Sequence, residues 1–243
     1  MTTKGPIIRA GIDYRHLLRN SNAGGAATAI STRGPVIANE TWATTIDTTN
    51  SWTVTVGATG TAAVASVSGV RVLALLAPAI SDTALVNHKA TLTNPGARAP
   101  TASTAIWRTV VMEWEMKLAN VASIDNTKFI AGIYSGAAAG RDQNDASGFI
   151  LASDLLNTLV DNAGTETVTV VSPAPTLTDW NKYKHIIRAS TQHEFYVNDV
   201  LVDTRTTNLP VTSGLLAAQF YLVSDAAADP RVDIGPVRIW LEE

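Results

Sequence analysis

The feature that most constrains this chain is a strict two-residue alternation over residues 110–118. Val110, Met112, Trp114, Met116 and Leu118 fall on one parity, and Val111, Glu113, Glu115 and Lys117 on the other. Side chains of an extended strand point alternately to opposite faces, so this run has one buried face and one wet face. A weaker alternation recurs at Trp52, Val54 and Val56. Further strands are predicted at Lys128–Tyr134, Gly148–Ser153, Thr158–Asn162, Thr167–Val171, Tyr183–Ser190, Glu194–Val197, Val200–Thr204, Gln219–Ser224 and Arg231–Leu241. Thr, Val, Ile and aromatic residues, which suit a pleated surface, dominate them. The run Val70 to Ile80 reads as one buried strand, much too short to span a bilayer.

The turns agree with this reading. Asn198-Asp199, between Phe195-Tyr196-Val197 and Val200-Leu201-Val202, suits a two-residue hairpin, because both residues tolerate positive φ. Gly235-Pro236 interrupts the last strand: Val232 and Ile234 share one parity, and Val237, Ile239 and Leu241 the other. One extra residue in a bulge would keep both sets on the core side. The chain shows no long amphipathic helix and no internal repeat. Many short strands joined by Gly, Pro and Asn turns imply an all-β fold, a two-sheet antiparallel jelly-roll sandwich.

Composition removes several classes of function. The 243 residues include no cysteine, which excludes disulfides, thiolate nucleophiles and Cys-ligated zinc. Lys and Arg number 18 against 21 Asp and Glu, too balanced for bulk nucleic-acid binding. A hydrophobic fraction of 46% excludes a wholly disordered chain. Residues 1–30 hold no apolar core of a signal peptide, so secretion by that route and membrane insertion are not expected. Asn39-Glu40-Thr41 matches a glycosylation acceptor by chance in that setting.

Residues 1–40 differ from the rest and are set apart as an extended N-terminal arm, with residues 41–243 forming the sandwich. Lys4, Arg9, Arg15, Arg19 and Arg33 face only Asp13 and Glu40, giving the arm +3 and leaving −6 on the body. A basic arm opposite a more acidic body suits exchange between subunits. Its apolar anchors are Ile7, Ile8, Ile12, Tyr14, Leu17 and Leu18, and its charge partners Arg9, Arg15 and Arg19.

Three runs carry a resemblance. Trp180-Asn181-Lys182-Tyr183, then His193-Glu194-Phe195-Tyr196-Val197-Asn198-Asp199, then Val232 to Trp240 (VDIGPVRIW), resemble the C-terminal half of concanavalin A-like lectin/glucanase domains. The middle runs Phe129–Tyr134, Arg141-Asp142-Gln143 and Gly148-Phe149-Ile150-Leu151 also look like this group, so the resemblance covers roughly residues 42–243. These motifs specify a sandwich better than an activity. Versions with an N-terminal arm and Ala/Thr/Gly-rich loops resemble structural proteins of tailed-bacteriophage virions.

The glucanase branch of that superfamily places two catalytic carboxylates on one strand face. Here Glu113 and Glu115 share a face, but the acid/base position holds Lys117, or Leu118 in the longer variant of the motif. A lysine cannot protonate a glycosidic oxygen as a carboxylic acid does, so no catalytic residue is assigned and the chain is not expected to be an enzyme. Lys117 reads instead as easing the repulsion between Glu113 and Glu115. The lectin branch uses metal ions, yet Asp142-Gln143-Asn144-Asp145 and the Asp225 to Asp229 stretch read as turns. No metal and no cofactor is expected. Of the four histidines none makes a metal-ligating pair, and His185, between Tyr183 and Ile187, reads as partly buried and structural. Trp114 has core parity, Trp180 fits a strand start, and Trp42 and Trp107 are candidates for exposure.

Three functions follow. The first is a virion structural protein, a head decoration protein whose arm clamps further copies of itself, as a trimer, and the major capsid or another virion protein. It would be made in a host cytoplasm. The second is a carbohydrate-binding tail or receptor-binding module, with exposed aromatics beside Asp or Asn. The third, a glycoside hydrolase, is disfavoured at Lys117.

Overall fold

The structure is a computed structural model that describes residues 33–42, 44–89, 92–93, 109–135, 145–188, 191–210 and 215–242. Sixteen strands occur in these residues. The first eight are β1 (Arg33–Glu40), β2 (Trp52–Gly57), β3 (Thr61–Val67), β4 (Val70–Leu76), β5 (Thr83–His88), β6 (Leu92–Thr93), β7 (Thr109–Ala119) and β8 (Ile130–Ser135). The other eight are β9 (Asp145–Ala152), β10 (Leu155–Asn162), β11 (Thr165–Val170), β12 (Asn181–Arg188), β13 (Gln192–Val197), β14 (Val200–Arg205), β15 (Leu215–Val223) and β16 (Arg231–Glu242). A single 3-10 turn at Val121–Ser123 is the helical element of the described residues.

Two antiparallel sheets form a jelly-roll sandwich. The first runs β14-β13-β12-β7-β16-β4-β3, with β1 also on β16; the second runs β11-β10-β9-β8-β15-β5-β2, with β6 also on β15. The alternating strand β7 lies in the middle of the first sheet. Its Val110, Met112, Trp114, Met116 and Leu118 all enter the core between the sheets, at 2% exposure or less. Trp114 stacks on Tyr183 and meets Phe149 and Phe220 edge-on. These rings from both sheets give the core large apolar area in favourable aromatic geometry.

The turn chemistry holds. Asn198 and Asp199 have φ of 51° and 64°, the two positive angles of a tight hairpin turn whose twist matches its strands. The bulge is also present, as a register shift between Ile234 and Val237. It divides β16 between two neighbours: residues 231–234 pair with β4 and residues 237–242 with β1.

Some expectations change. Residues 33–40, the end of the segment set apart as an arm, form β1 in the first sheet. Residues 1–32, with Ile7, Ile8, Arg9, Ile12, Tyr14, Arg15, Leu17, Leu18 and Arg19, lie outside the described residues. Trp42, a candidate for exposure, is fully buried, and its indole N–H donates to the carbonyl of Gly235 in the bulge. The run Val70 to Ile80 is not one buried strand: β4 stops at Leu76, and Val70 and Ile80 are 52% and 64% exposed. Strands β3 and β5 come from stretches without a clean alternation. Both faces of part of β5 are covered, which removes the polar parity that alternation needs.

Candidate functional site

The exposed face of the first sheet carries a surface hollow where β7 ends and β16 begins. Its volume is about 250 Å³, and Val67, Lys117, Leu118, Thr178, Arg231 and Asp233 contribute to its lining. Lys117 sits on the wet parity of β7, and Asp233 is paired to it across the strands. Lys117 Nζ lies 3.7 Å from Asp233 Oδ2, while Arg231 Nε donates to Asp233 Oδ1 at 2.7 Å. One carboxylate therefore lies between two cations, and the hollow keeps a net positive charge.

Beside it stands Trp180, 37% exposed, with Lys117 Nζ 5.4 Å from its ring centre. An ammonium at that distance is attracted by the electron-rich face of the ring. The backbone that presents Trp180 is fixed by Asn181, whose amide donates to the carbonyls of Thr176 at 2.9 Å and Asp179 at 3.0 Å. Asn198 in the hairpin turn in turn donates to Asn181 Oδ1 at 2.8 Å, and Leu118 N–H donates to Leu177 O at 2.8 Å. The loop is thus tied at three points, and the indole is held out by a braced backbone. A large aromatic surface left in water beside fixed polar groups is suited to a ligand with one apolar face and hydroxyl edges.

The other candidates resolve differently. Glu113 forms an ion pair with Lys182 at 3.2 Å, and Lys182 also bridges to Asp199 at 3.0 Å. Burial works against the charge of Lys182, but Asp199 and Glu113 outweigh it and raise its pKa. The partner of Glu113 is therefore Lys182, not Lys117, which is engaged by Asp233. Asp142 and Asn144 lie outside the described residues, whereas Asp145 opens β9 and is buried. Asp225 to Ala228 form bends, and Asp229 follows them with a positive φ of 47°. Among the described residues no group of three or more His, Asp or Glu side chains is placed to hold a metal ion. Nor is any helix among them long and apolar enough to cross a membrane.

His185 is more buried than the sequence suggests, at 0% exposure, and it is not alone. It and His193 point from the first sheet at Ser147 of the second, Nε2 of His185 at 3.0 Å and Nδ1 of His193 at 2.7 Å from the hydroxyl. A serine flanked by two imidazoles has the composition of a nucleophilic site. All three side chains are at most 1% exposed, so no substrate reaches them and the group bridges the sheets structurally. Single-sequence reading could not find this group, because Ser147 and the histidines lie on separate sheets. Trp180 was legible only as a strand start; the polar residues Thr176, Thr178 and Asp179 before it were the signal of exposure.

No family model matches the chain, and no curated protein sequence matches it. Solved structures do match. A protein of unknown function from Shewanella oneidensis MR-1 superposes with a TM-score of 0.60 at 11% identity, over 98% of this chain and 97% of that one. The receptor-binding domain of botulinum neurotoxin D gives a TM-score of 0.56 at 12% identity, over 88% of this chain and 50% of that one. A structure of botulinum neurotoxin type C, whose cell entry is described as dependent upon interaction with two ganglioside molecules, gives 0.54 at 12% identity, over 86% of this chain and 48% of that one. This chain spans about half the length of the neurotoxin chains it matches. At such identities the likeness is one of fold. It agrees with the two-sheet sandwich expected from the sequence, and one of these neighbours is described as a receptor-binding domain.

Proposed function

We propose that this chain is a glycan-binding module that acts without catalysis and takes a sugar ring against Trp180, with Lys117, Thr178, Arg231 and Asp233 as polar partners. The observation that carries the reading is an indole exposed beside a polar hollow on an otherwise well-packed sandwich. A pyranose has one face of C–H groups and a rim of hydroxyls. The C–H face removes indole area from water, and the rim exchanges hydrogen bonds with the fixed charges. A single shallow site gives weak binding, with a Kd on the order of 0.1–1 mM. One structural neighbour described as a receptor-binding domain, and another whose cell entry is described as dependent upon gangliosides, support this reading over the shell-cementing one. The latter rests on residues 7–19, outside the described residues, and stands second.

The test is a glycan array followed by titration calorimetry on the best hit. Trp180→Ala should weaken binding at least about tenfold, which is about 1.4 kcal/mol. The variant should keep a single cooperative urea transition, which separates lost binding from lost folding. A blank array would sink the proposal, as would a Trp180→Ala variant that binds like the unmodified chain.

A further inference from the structure

The two sides of the sandwich differ in how their edge strands are protected. On one side the edges are β14, which carries Asp203 and Arg205 and faces a register shift at Phe195/Tyr196, and β11, which carries Glu166. Charged side chains and bulges are the usual means by which an edge refuses another strand. On the other side the edges are β3 in the first sheet and β2 in the second. The run 48–70, which contains both, has 23 consecutive residues without Asp, Glu, Lys, Arg or His, in a chain that is 16% charged. Strand β3 reads Thr-Ala-Ala-Val-Ala-Ser-Val and pairs with β4 in unbroken register from Thr61↔Leu76 to Val67↔Val70. It has no proline and no bulge, and Thr61, Ala63 and Ser66 are exposed. Among the described residues no strand lies beyond it.

We infer that β3 is a self-pairing edge, through which two copies of this chain join antiparallel about a twofold axis normal to the sheets. Such an edge displays a row of unused backbone N–H and C=O groups that only another strand satisfies as a set. The occupant is a second copy because the sequence matches itself. Centred on Val64, antiparallel pairing sets Val64 opposite its own symmetry mate, Ala63 opposite Ala65, Ala62 opposite Ser66 and Thr61 opposite Val67. Every such pair is small or β-branched, and none brings like charges together. A foreign strand would find no pocket and no charge on β3 to select it. The twofold also brings the β2 edges side by side, so the whole uncharged side closes at once in a self-complementary contact. This inference does not rest on the glycan reading, since β3 meets the hollow only at its last residue, Val67.

The experiment is light scattering on the full chain across concentration, with a Thr61→Lys/Ala63→Lys variant alongside. The unmodified chain should run at twice its 25.6 kDa mass above about 10 µM, and the variant as one chain, its dissociation constant raised at least about 100-fold. Amide exchange of residues 61–67 in the unmodified chain should slow as concentration rises, a reading that needs no variant. A single-chain mass at every concentration, a mass of three chains, a variant that still pairs, or exchange independent of concentration would each overturn the inference.

Discussion

Ser147 has one hydroxyl proton and two histidines within reach, which fixes how the buried trio shares its protons. The ring that accepts the hydroxyl proton must be bare at that nitrogen, while the other ring can donate to the hydroxyl oxygen. His185 and His193 lie 3.3 Å apart, nitrogen to nitrogen, too close for both to be charged in a dry interior. Burial, and for His185 also the proximity of His193, holds the His185 pKa well below the ordinary 6.5; burial brings His193 down to about 3. The unfolded chain then binds more protons than the folded one at any pH from about 6.5 down to 3. Stability is full above 6.5 and falls as the solution is acidified, by up to about 1.4 kcal/mol per pH unit for each histidine. Urea denaturation between pH 7 and 5 should show this slope, above the range where most carboxylates titrate. His193→Gln should remove about half of it while lowering stability at pH 7; a slope unchanged in the variant would contradict the assignment. Trp42 gives a second prediction at this scale. Trp42→Phe keeps most of the buried area but leaves the Gly235 carbonyl without its indole donor. The expected loss is about 1–3 kcal/mol, read from the urea midpoint.

Strand pairing explains why some elements were legible and others were not. Strand β7 announced itself because its two faces meet different media, core on one side and the charged pairs of Glu113 and Lys117 on the other. The same holds for β12 and β13, with Tyr183, His185, Phe195 and Val197 inward. The second sheet is harder to read. Leu85, Ile130, Tyr134, Ile150, Leu159 and Tyr221 lie on its outward face and are nonetheless buried. A strand covered on both faces loses alternation and keeps only its β-branched and aromatic content. Strand β1 was missed for another reason: its Arg33-Gly-Pro start and Ala-Asn-Glu end read as loop, and its pairing partner lies some 200 residues away in sequence. Strands β8 and β9 meet at a glycine pair, Gly132 opposite Gly148. A β-carbon on Gly148 would lie 2.7 Å from the Ala131 carbonyl, and one on Gly132 would collide with the Ser147 carbonyl. Here two backbones approach too closely for any side chain. Gly148→Ala should therefore destabilise the chain by about 1–3 kcal/mol, the cost of forcing a methyl group into a packed ladder. Chemical denaturation would show it as a lower midpoint at unchanged slope.

At the scale of the whole molecule, the sandwich could be read from parity and turns, but the site could not. Its parts come from the end of β7, the start of β16, the tip of β3 and the loop before β12, and no sequence spacing joins them. Lys117 was seen as a neighbour of Glu113 and Glu115, because its cross-strand partner Asp233 is set by β16 register alone. That geometry has a consequence for binding strength. A lone hollow beside one indole holds a sugar weakly, yet a twofold pair about β3 carries two hollows in a fixed relation. On a dense glycan surface the second contact becomes intramolecular, which raises apparent affinity by about 10²–10⁴ without any new contact. The Thr61→Lys/Ala63→Lys variant separates the two effects. Its Kd for a free monovalent glycan should stay within about twofold, while its apparent Kd on a densely coated surface should rise at least about 100-fold. Surface plasmon resonance on dense and sparse glycan layers, with calorimetry for the free sugar, measures both. Equal losses in the two formats would mean that the edge substitutions disturb the hollow itself. No loss in either would mean that paired copies never engage two glycans together, and the gain from pairing would have to lie elsewhere than in recognition.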